Sequence, residues 1–335
     1  EWPSAAGPRI VSSLLVLGLA LSSACGSRAG STELDGPNLL LVSIDSLRPD
    51  HLGCYGYRRD TSPVIDRLAR SGARFETAIS TTSWTLPAHA ALFTGMYDSA
   101  HGLVDNGLSL GDRHRTLAEV LREHGYQTAG FYGGPYLHPT FGLSQGFDHY
   151  QSCMTTMADD TGGEEVRQQS RAPIGASHRD VTGPRTVAEF GRWLDGADLQ
   201  RPFFAFVHLW DVHYDYIPPP EFAALFADPA YRGAYDGRNF ADLARARTPL
   251  AQADREHMVA LYDAEIRFTD EILGKLLERL EGAGLGASTA VIVTADHGEE
   301  FFEHQGWGHQ SSLFEEQIRV PLIVRWPAAF APRVV

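Results

Sequence analysis

Two acids and an imidazole stand at the ends of apolar runs. Asp45 closes NLLLVSID (38–45), and Asp296, followed at once by His297, closes STAVIVTAD (288–296). A carboxylate at the end of a buried strand is costly unless it is paired or binds a cation. Two acids with an imidazole make a reasonable ligand set for one divalent ion. A single Asp in such a place more often caps the turn or helix that follows. Two of them, with His297 adjacent and more histidines nearby, shift the reading toward metal. Oxygen donors suit calcium, magnesium or manganese, and the imidazole leans toward manganese or zinc.

The segment TTSWTLPAHAALFTG (81–95) offers a hydroxyl. Thr85 precedes a short helix expected over 86–95, with Pro87 in its first turn and Gly95 at its end. A helix N-terminus presents free N–H groups and positive dipole character, so an alkoxide or a bound anion is stabilised there. A hydroxyl bound to a metal is also more easily deprotonated. Taken alone, Thr85 reads first as an ordinary N-cap and only second as a nucleophile. His213 and His309 are candidates for proton transfer or oxyanion binding. His309 lies in GWGHQSSLFEE, a loop suited to lining a pocket, whereas His304 in FEHQG reads as structural or as part of an outer layer around the site. His208 and Asp211, in FVHLWDVH, fit a second cation or an outer layer around the first. Tyr132, Tyr136 and Trp210 either line a pocket or pack in the core.

The elements that must position these groups alternate. Strands are expected at 38–45, 73–80, 126–134, 202–211 and 288–296, and helices at 62–72, 115–125, 184–196 and over the long charged stretch 251–283. Such alternation implies an α/β fold with a mostly parallel sheet covered on both faces. Ligands bind at the carboxyl ends of such strands, and Asp45, His208, Asp211, His213, Asp296 and His297 all fall there. The polar stretch 157–180 reads as a surface insertion.

The whole chain has 335 residues, 28 basic and 42 acidic, for a net charge of -14, which argues against nucleic acid as the main partner. Residues 10–24, IVSSLLVLGLALSSA, read as the apolar part of a signal peptide, and Cys25 directly after them as a lipidation site. Residues 1–25 are then a lipoprotein-type signal, 26–37 a linker and 38–335 a catalytic domain, whose ending on RVPLIVRWP suggests a missing C-terminal part. The expected setting is the bacterial periplasm or envelope, where Cys54 and Cys153 could pair.

Several segments together resemble the sulfatase family of the alkaline phosphatase superfamily. NLLLVSIDSLRPDHLGCYGY looks like its N-terminal metal strand, and TLPAHAALFTG like its catalytic signature. YDAEIRFTDEILGKLL resembles the long helix before the last metal strand, and TADHGEEFFEHQGWGHQSSLFEEQIRVPLIVRWP the C-terminal metal segment. The resemblance implies a metal-dependent hydrolase of sulfate or phosphate esters, with calcium as the family's usual ion. It implies that Asp45, Asp296 and His297 are metal ligands, Thr85 the nucleophile, and His213 the active-site histidine. His89 takes the place of the signature Arg, and His309 falls near an active-site Lys position. The departures are chemical. Thr85 cannot give the formylglycine aldehyde, Ser46 stands where many members carry a second Asp, and the single lysine, Lys275, sits on the long helix. These changes look more like the phosphate-handling branches, which include phosphodiesterases, phosphonate monoester hydrolases and membrane phospho-group transferases. A transferase acting on envelope components and a non-catalytic binding protein of the same fold are the competing readings. The expected substrate is a small-molecule, glycan or lipid ester, contacted by loops near 133–185 and 214–250.

Overall fold

The computed structural model describes residues 36–171, 179–240, 243, 250–329 and 331–335. Cys25 and the signal and linker segments before residue 36 lie outside the described residues. In chain order the strands are β1 (Asn38–Ile44), β2 (Ala73–Ile79), β3 (Gln127–Tyr132), β4 (His149–Ser152), β5 (Phe203–Leu209), β6 (Thr289–Ala295), β7 (Glu300–Phe301), β8 (Trp307–Gly308), β9 (Arg319–Arg325) and β10 (Arg333–Val334). The described α-helices are α1 (Pro63–Arg70), α2 (Thr85–Thr94), α3 (Asp98–His101), α4 (Leu117–Glu123), α5 (Gly163–Arg171), α6 (Gly183–Gly196), α7 (Pro220–Phe226), α8 (Gln252–Gly282) and α9 (Glu315–Ile318).

Eight strands form one sheet in the order β10-β2-β9-β6-β1-β5-β3-β4, and β7 pairs with β8 separately. The run β6-β1-β5-β3-β4 is parallel throughout, while β9 lies antiparallel between β2 and β6. Alternate residues of β1 serve opposite faces. Leu40, Val42 and Ile44 pack with Ile65, Phe190, Ile272 and Leu273 of α1, α6 and α8. Leu41, on the other face, packs with Leu86, Ala90 and Phe93 of α2. A strand covered on both sides must be apolar nearly throughout, which is why β1 and β5 read as continuous runs.

The α1 helix begins at a proline, whose missing N–H costs nothing at that position. The Asp270 carboxylate of α8 accepts the Val64 and Ile65 N–H groups, each at 2.8 Å. That supplies from another helix the cap that Ser62 does not provide. At α4 the cap is local: Thr116 and Glu119 satisfy each other's backbone N–H groups reciprocally.

Two boundaries differ from the sequence reading. Thr85 is the first residue of α2 rather than the residue before it, with Trp84 at the cap. The stretch 157–180 carries α5, which bonds carry back onto the domain: Tyr136 donates to the Ser170 carbonyl at 2.9 Å, and Arg167 to the Leu108 carbonyl at 3.0 Å. Cys54 and Cys153 are separate thiols. Burial pushes each up to about 12, and Asp66 adds to the shift at Cys54.

Candidate active site and metal centre

Register builds the site. Ile44 of β1 lies opposite Leu209 of β5 and Ala295 of β6, so the next residues, Asp45 and Asp296, leave neighbouring strands side by side. Both side chains are fully buried. The chain turns at once after β1: Ser46 takes a left-handed φ of 54°, rare for a residue with a Cβ. Tyr262 of α8 braces this turn, its hydroxyl donating to the Ser46 carbonyl at 2.7 Å and accepting the Arg48 N–H at 2.9 Å. The turn aims the Ser46 N–H at Asp296 Oδ1 (3.3 Å) and lets the Ser46 hydroxyl donate to Asp45 Oδ1 (2.6 Å). Strain of this kind persists where surrounding contacts over-determine it.

Thr85 reaches the site from α2 and is buried. Its hydroxyl lies 3.3 Å from Asp45 Oδ2 and 3.3 Å from His297 Nε2. Pro87 falls within the first turn of α2, where its missing N–H costs no helical bond.

The histidines divide by what their ring nitrogens meet. His297 Nδ1 donates to the Gly298 carbonyl at 2.8 Å, which leaves a lone pair on Nε2. That nitrogen lies 3.4 Å from Asp296 Oδ2, an oxygen with no hydrogen-bond donor. Two acceptors facing each other in the interior repel unless something positive lies between them. Asp45, Asp296 and His297 offer one ligand atom each within 4.8 Å of one another. The donor chemistry therefore fits a divalent cation. His89 is different. Its Nδ1 donates to the Thr85 carbonyl at 2.8 Å, and its Nε2 accepts from the Ser43 hydroxyl at 3.1 Å. Burial, helped by nearby His208, lowers it to about 3, so it is a neutral ring that ties the first turn of α2 to β1. It does not reproduce the cation of the signature Arg whose place it takes.

Burial on its own would raise Asp45, but His208, His213 and His297 outweigh it and hold the carboxyl far below the ordinary range. Asp296 moves the other way, raised by burial and by Asp45 beside it.

His213 follows β5 and stacks on Trp210, with ring centroids 3.9 Å apart, and its Nδ1 bonds to the Tyr214 carbonyl. His309 lies 4.3 Å from His297 and 5.1 Å from His213, centroid to centroid. Its loop is tied to the segment before Thr85 by the Gln310 N–H, which donates to the Ser83 carbonyl at 2.8 Å. Its Nδ1 donates to the buried Glu299 carboxylate at 3.0 Å, whose other oxygen takes the Tyr216 hydroxyl at 2.9 Å. Burial disfavours the imidazolium, yet Glu299 more than compensates and His309 is raised. Thus Asp45, Thr85, His89, His213, Asp296, His297 and His309 converge.

Three other sequence candidates do not join them. Asp211 accepts the Thr182 N–H (2.8 Å) and hydroxyl (3.1 Å), which anchors the start of α6. His304 pairs with Glu316 at 2.8 Å near the surface. Tyr132 is a core residue whose hydroxyl donates to Asp159 at 2.8 Å. Glu299 is the functional neighbour that sequence reasoning missed. Its only signal is an acid two residues after His297, in a run of polar residues that reads as solvated.

A protein-family model described as Sulfatase matches residues 37–335. Iduronate 2-sulfatase of Homo sapiens is 27% identical, over 97% of this chain and 66% of its own length. N-acetylglucosamine-6-O-sulfatase of Bacteroides thetaiotaomicron is 24% identical, over 95% of this chain and 68% of its own. The chain thus spans about two thirds of the length of these curated relatives. Among solved structures, phosphonate monoester hydrolase of Agrobacterium radiobacter superposes with a TM-score of 0.68 at 25% identity, covering 89% of this chain and 70% of that one.

Proposed function

The chain belongs to the sulfatase family, and on that premise we propose that it is a metal-dependent hydrolase of sulfate or phosphate esters with the Thr85 hydroxyl as nucleophile. One observation carries the reading: that hydroxyl sits at the first residue of α2, 3.3 Å from both Asp45 and His297. Asp45, Asp296 and His297 would hold one divalent ion, which when bound lowers the pKa of an adjacent hydroxyl and draws charge from ester oxygens.

The chain's own groups do the rest. The α2 N-terminus favours the anionic ester. Thr85 Oγ1 gives its proton to Asp45 Oδ2, 3.3 Å away, and forms a bond to phosphorus or sulfur while the bond to the leaving oxygen breaks. His309 and His213 lie beside His297 and are placed to give that oxygen a proton. Water then attacks the phosphorus or sulfur as the bond to Thr85 Oγ1 breaks; Asp45 returns the proton to that oxygen, and the water proton recharges the histidine as the inorganic anion leaves. His89 keeps the first turn of α2 in place throughout.

Between the two esters, the chemistry favours phosphate. A threonine cannot supply the aldehyde hydrate by which family members shed sulfate, and the phosphonate monoester hydrolase likeness points the same way. The substrate class is a small-molecule, glycan or lipid ester, and the reading of residues 1–25 as a lipoprotein-type signal supports a cell-envelope setting. Assays with paired p-nitrophenyl sulfate, phosphate monoester, phosphodiester and phosphonate, beside Thr85→Ala, test the assignment. Phosphate-ester turnover that falls about a thousandfold or more in the variant is expected. Sulfate turnover lost in the variant would reverse the choice of ester, and turnover kept in the variant would remove Thr85 from the chemistry.

A further inference from the structure

Among the buried histidines beside the site, His208 is left unused by this mechanism. It stands next to last on β5, opposite Ser43 of β1, with no exposed surface. Its Nδ1 lies 2.8 Å from the Gly133 carbonyl, which can only accept, so the proton is on Nδ1. Nε2 makes no hydrogen bond and lies 3.5 Å from Asp45 Oδ2, so a cation between them would take its lone pair in place of a proton. The second buried atom of the site without a donor is Asp296 Oδ2. His208 and Asp296 fall within one group, with His89, whose candidate ligand atoms lie within 4.8 Å of one another. His89 has both ring nitrogens engaged already, so His208 is the member of that group with a lone pair to give.

We propose that His208 is a fourth protein ligand of the cation held by Asp45, Asp296 and His297. It supplies the donor that Ser46 cannot, since the Ser46 hydroxyl is spent on Asp45 at 2.6 Å. The inference rests on the reading of those three residues as a metal site. Its consequence is a change of metal class. Two carboxylates with two imidazoles suit zinc-type ions, whereas calcium is held by oxygen.

The test is metal binding by the full chain, stripped with a chelator and titrated with zinc or calcium against a chromophoric indicator. The wild type is expected to take one zinc per chain and to hold it at least about a hundredfold tighter than calcium. Losing a group that merely orients a ligand costs about 10–100-fold in affinity, so His208→Gln is expected to weaken zinc by about a hundredfold or more and calcium by much less. The cobalt-substituted wild type should show a visible spectrum that shifts in His208→Gln. Unchanged zinc affinity and an unchanged cobalt spectrum would overturn the proposal and make His208 an imidazolium paired with Asp45. Two ions per chain, or calcium preferred over zinc, would also overturn it. Asp296→Asn separates the two claims: if it too leaves binding intact, the metal reading itself has failed. Should His208→Gln not fold, X-ray absorption on the zinc-loaded wild type decides, with two imidazoles per zinc expected and one contradicting.

Discussion

Two buried aspartates of this chain have opposite surroundings. Asp263, on α8, is fully buried and has donors on both oxygens: His51 at 2.7 Å on one, and Tyr57 at 2.7 Å and Arg59 at 2.8 Å on the other. Asp296 is as deeply buried, yet its Oδ2 has no donor and faces the lone pair of His297 at 3.4 Å. The first carboxylate is neutralised by the protein that surrounds it. The second is left open to something positive, a proton or the proposed cation. Burial of an acid therefore says little by itself; the count and direction of its donors separate a strut from a metal ligand.

The largest expected effect breaks the second case. Asp296→Asn removes a ligand and a negative charge beside Asp45. Activity is expected to fall by about a thousandfold or more, metal-induced thermal stabilisation to vanish, and the stripped variant to melt no lower than the stripped wild type. Initial rates and melting curves with and without chelator check all three.

Asp263→Asn should do the reverse. It leaves His51 and Arg59 facing an amide, so a loss of about 3–5 kcal/mol in urea unfolding is expected, with metal affinity unchanged. If Asp263→Asn weakened the metal instead, the contrast between the two acids would fail.

Asp211 sharpens the comparison, because it has donors from Thr182 but no positive partner among them. Burial, against those bonds, pushes it up to about 6 from an ordinary 3.8. The folded state thus keeps a proton that the unfolded chain has released between these values. Its contribution to stability is fully present below the unfolded value and is lost as pH rises through about 6. The stability of the wild type relative to Asp211→Asn is expected to drop by up to about 3 kcal/mol from pH 4 to pH 7. Paired urea titrations across that range measure it, and a constant difference would contradict the shift.

The smallest effect is expected at Lys275, the only lysine, which pairs with Glu271 on the outer side of α8 at 2.7 Å. Lys275→Ala should cost less than about 0.5 kcal/mol and leave turnover unchanged.

The strand-end acids were legible because a continuous apolar run that stops on Asp has few meanings in a parallel sheet. Thr85 was legible as a helix start, though its helix begins one residue earlier than the proline suggests. Helix α5 was not legible, since it carries one buried apolar residue, Val166, and its other ties are to distant backbone. Glu299 and the Ser46 turn were hidden for a related reason. Each takes its role from a partner far along the chain, Tyr216 for the first and Tyr262 for the second. His208 was placed at the right sheet edge by its strand, but its role turns on the Gly133 carbonyl that fixes its tautomer, and no spacing encodes that contact.

The central claim is that Thr85 carries the ester group during turnover. Acid-quenching the metal-loaded enzyme during steady-state hydrolysis of a phosphate ester, followed by peptide mass spectrometry, tests it most directly. A phosphoryl group on Thr85, absent in Thr85→Ala, is the expected result. An unmodified Thr85 together with undiminished turnover in Thr85→Ala would contradict it.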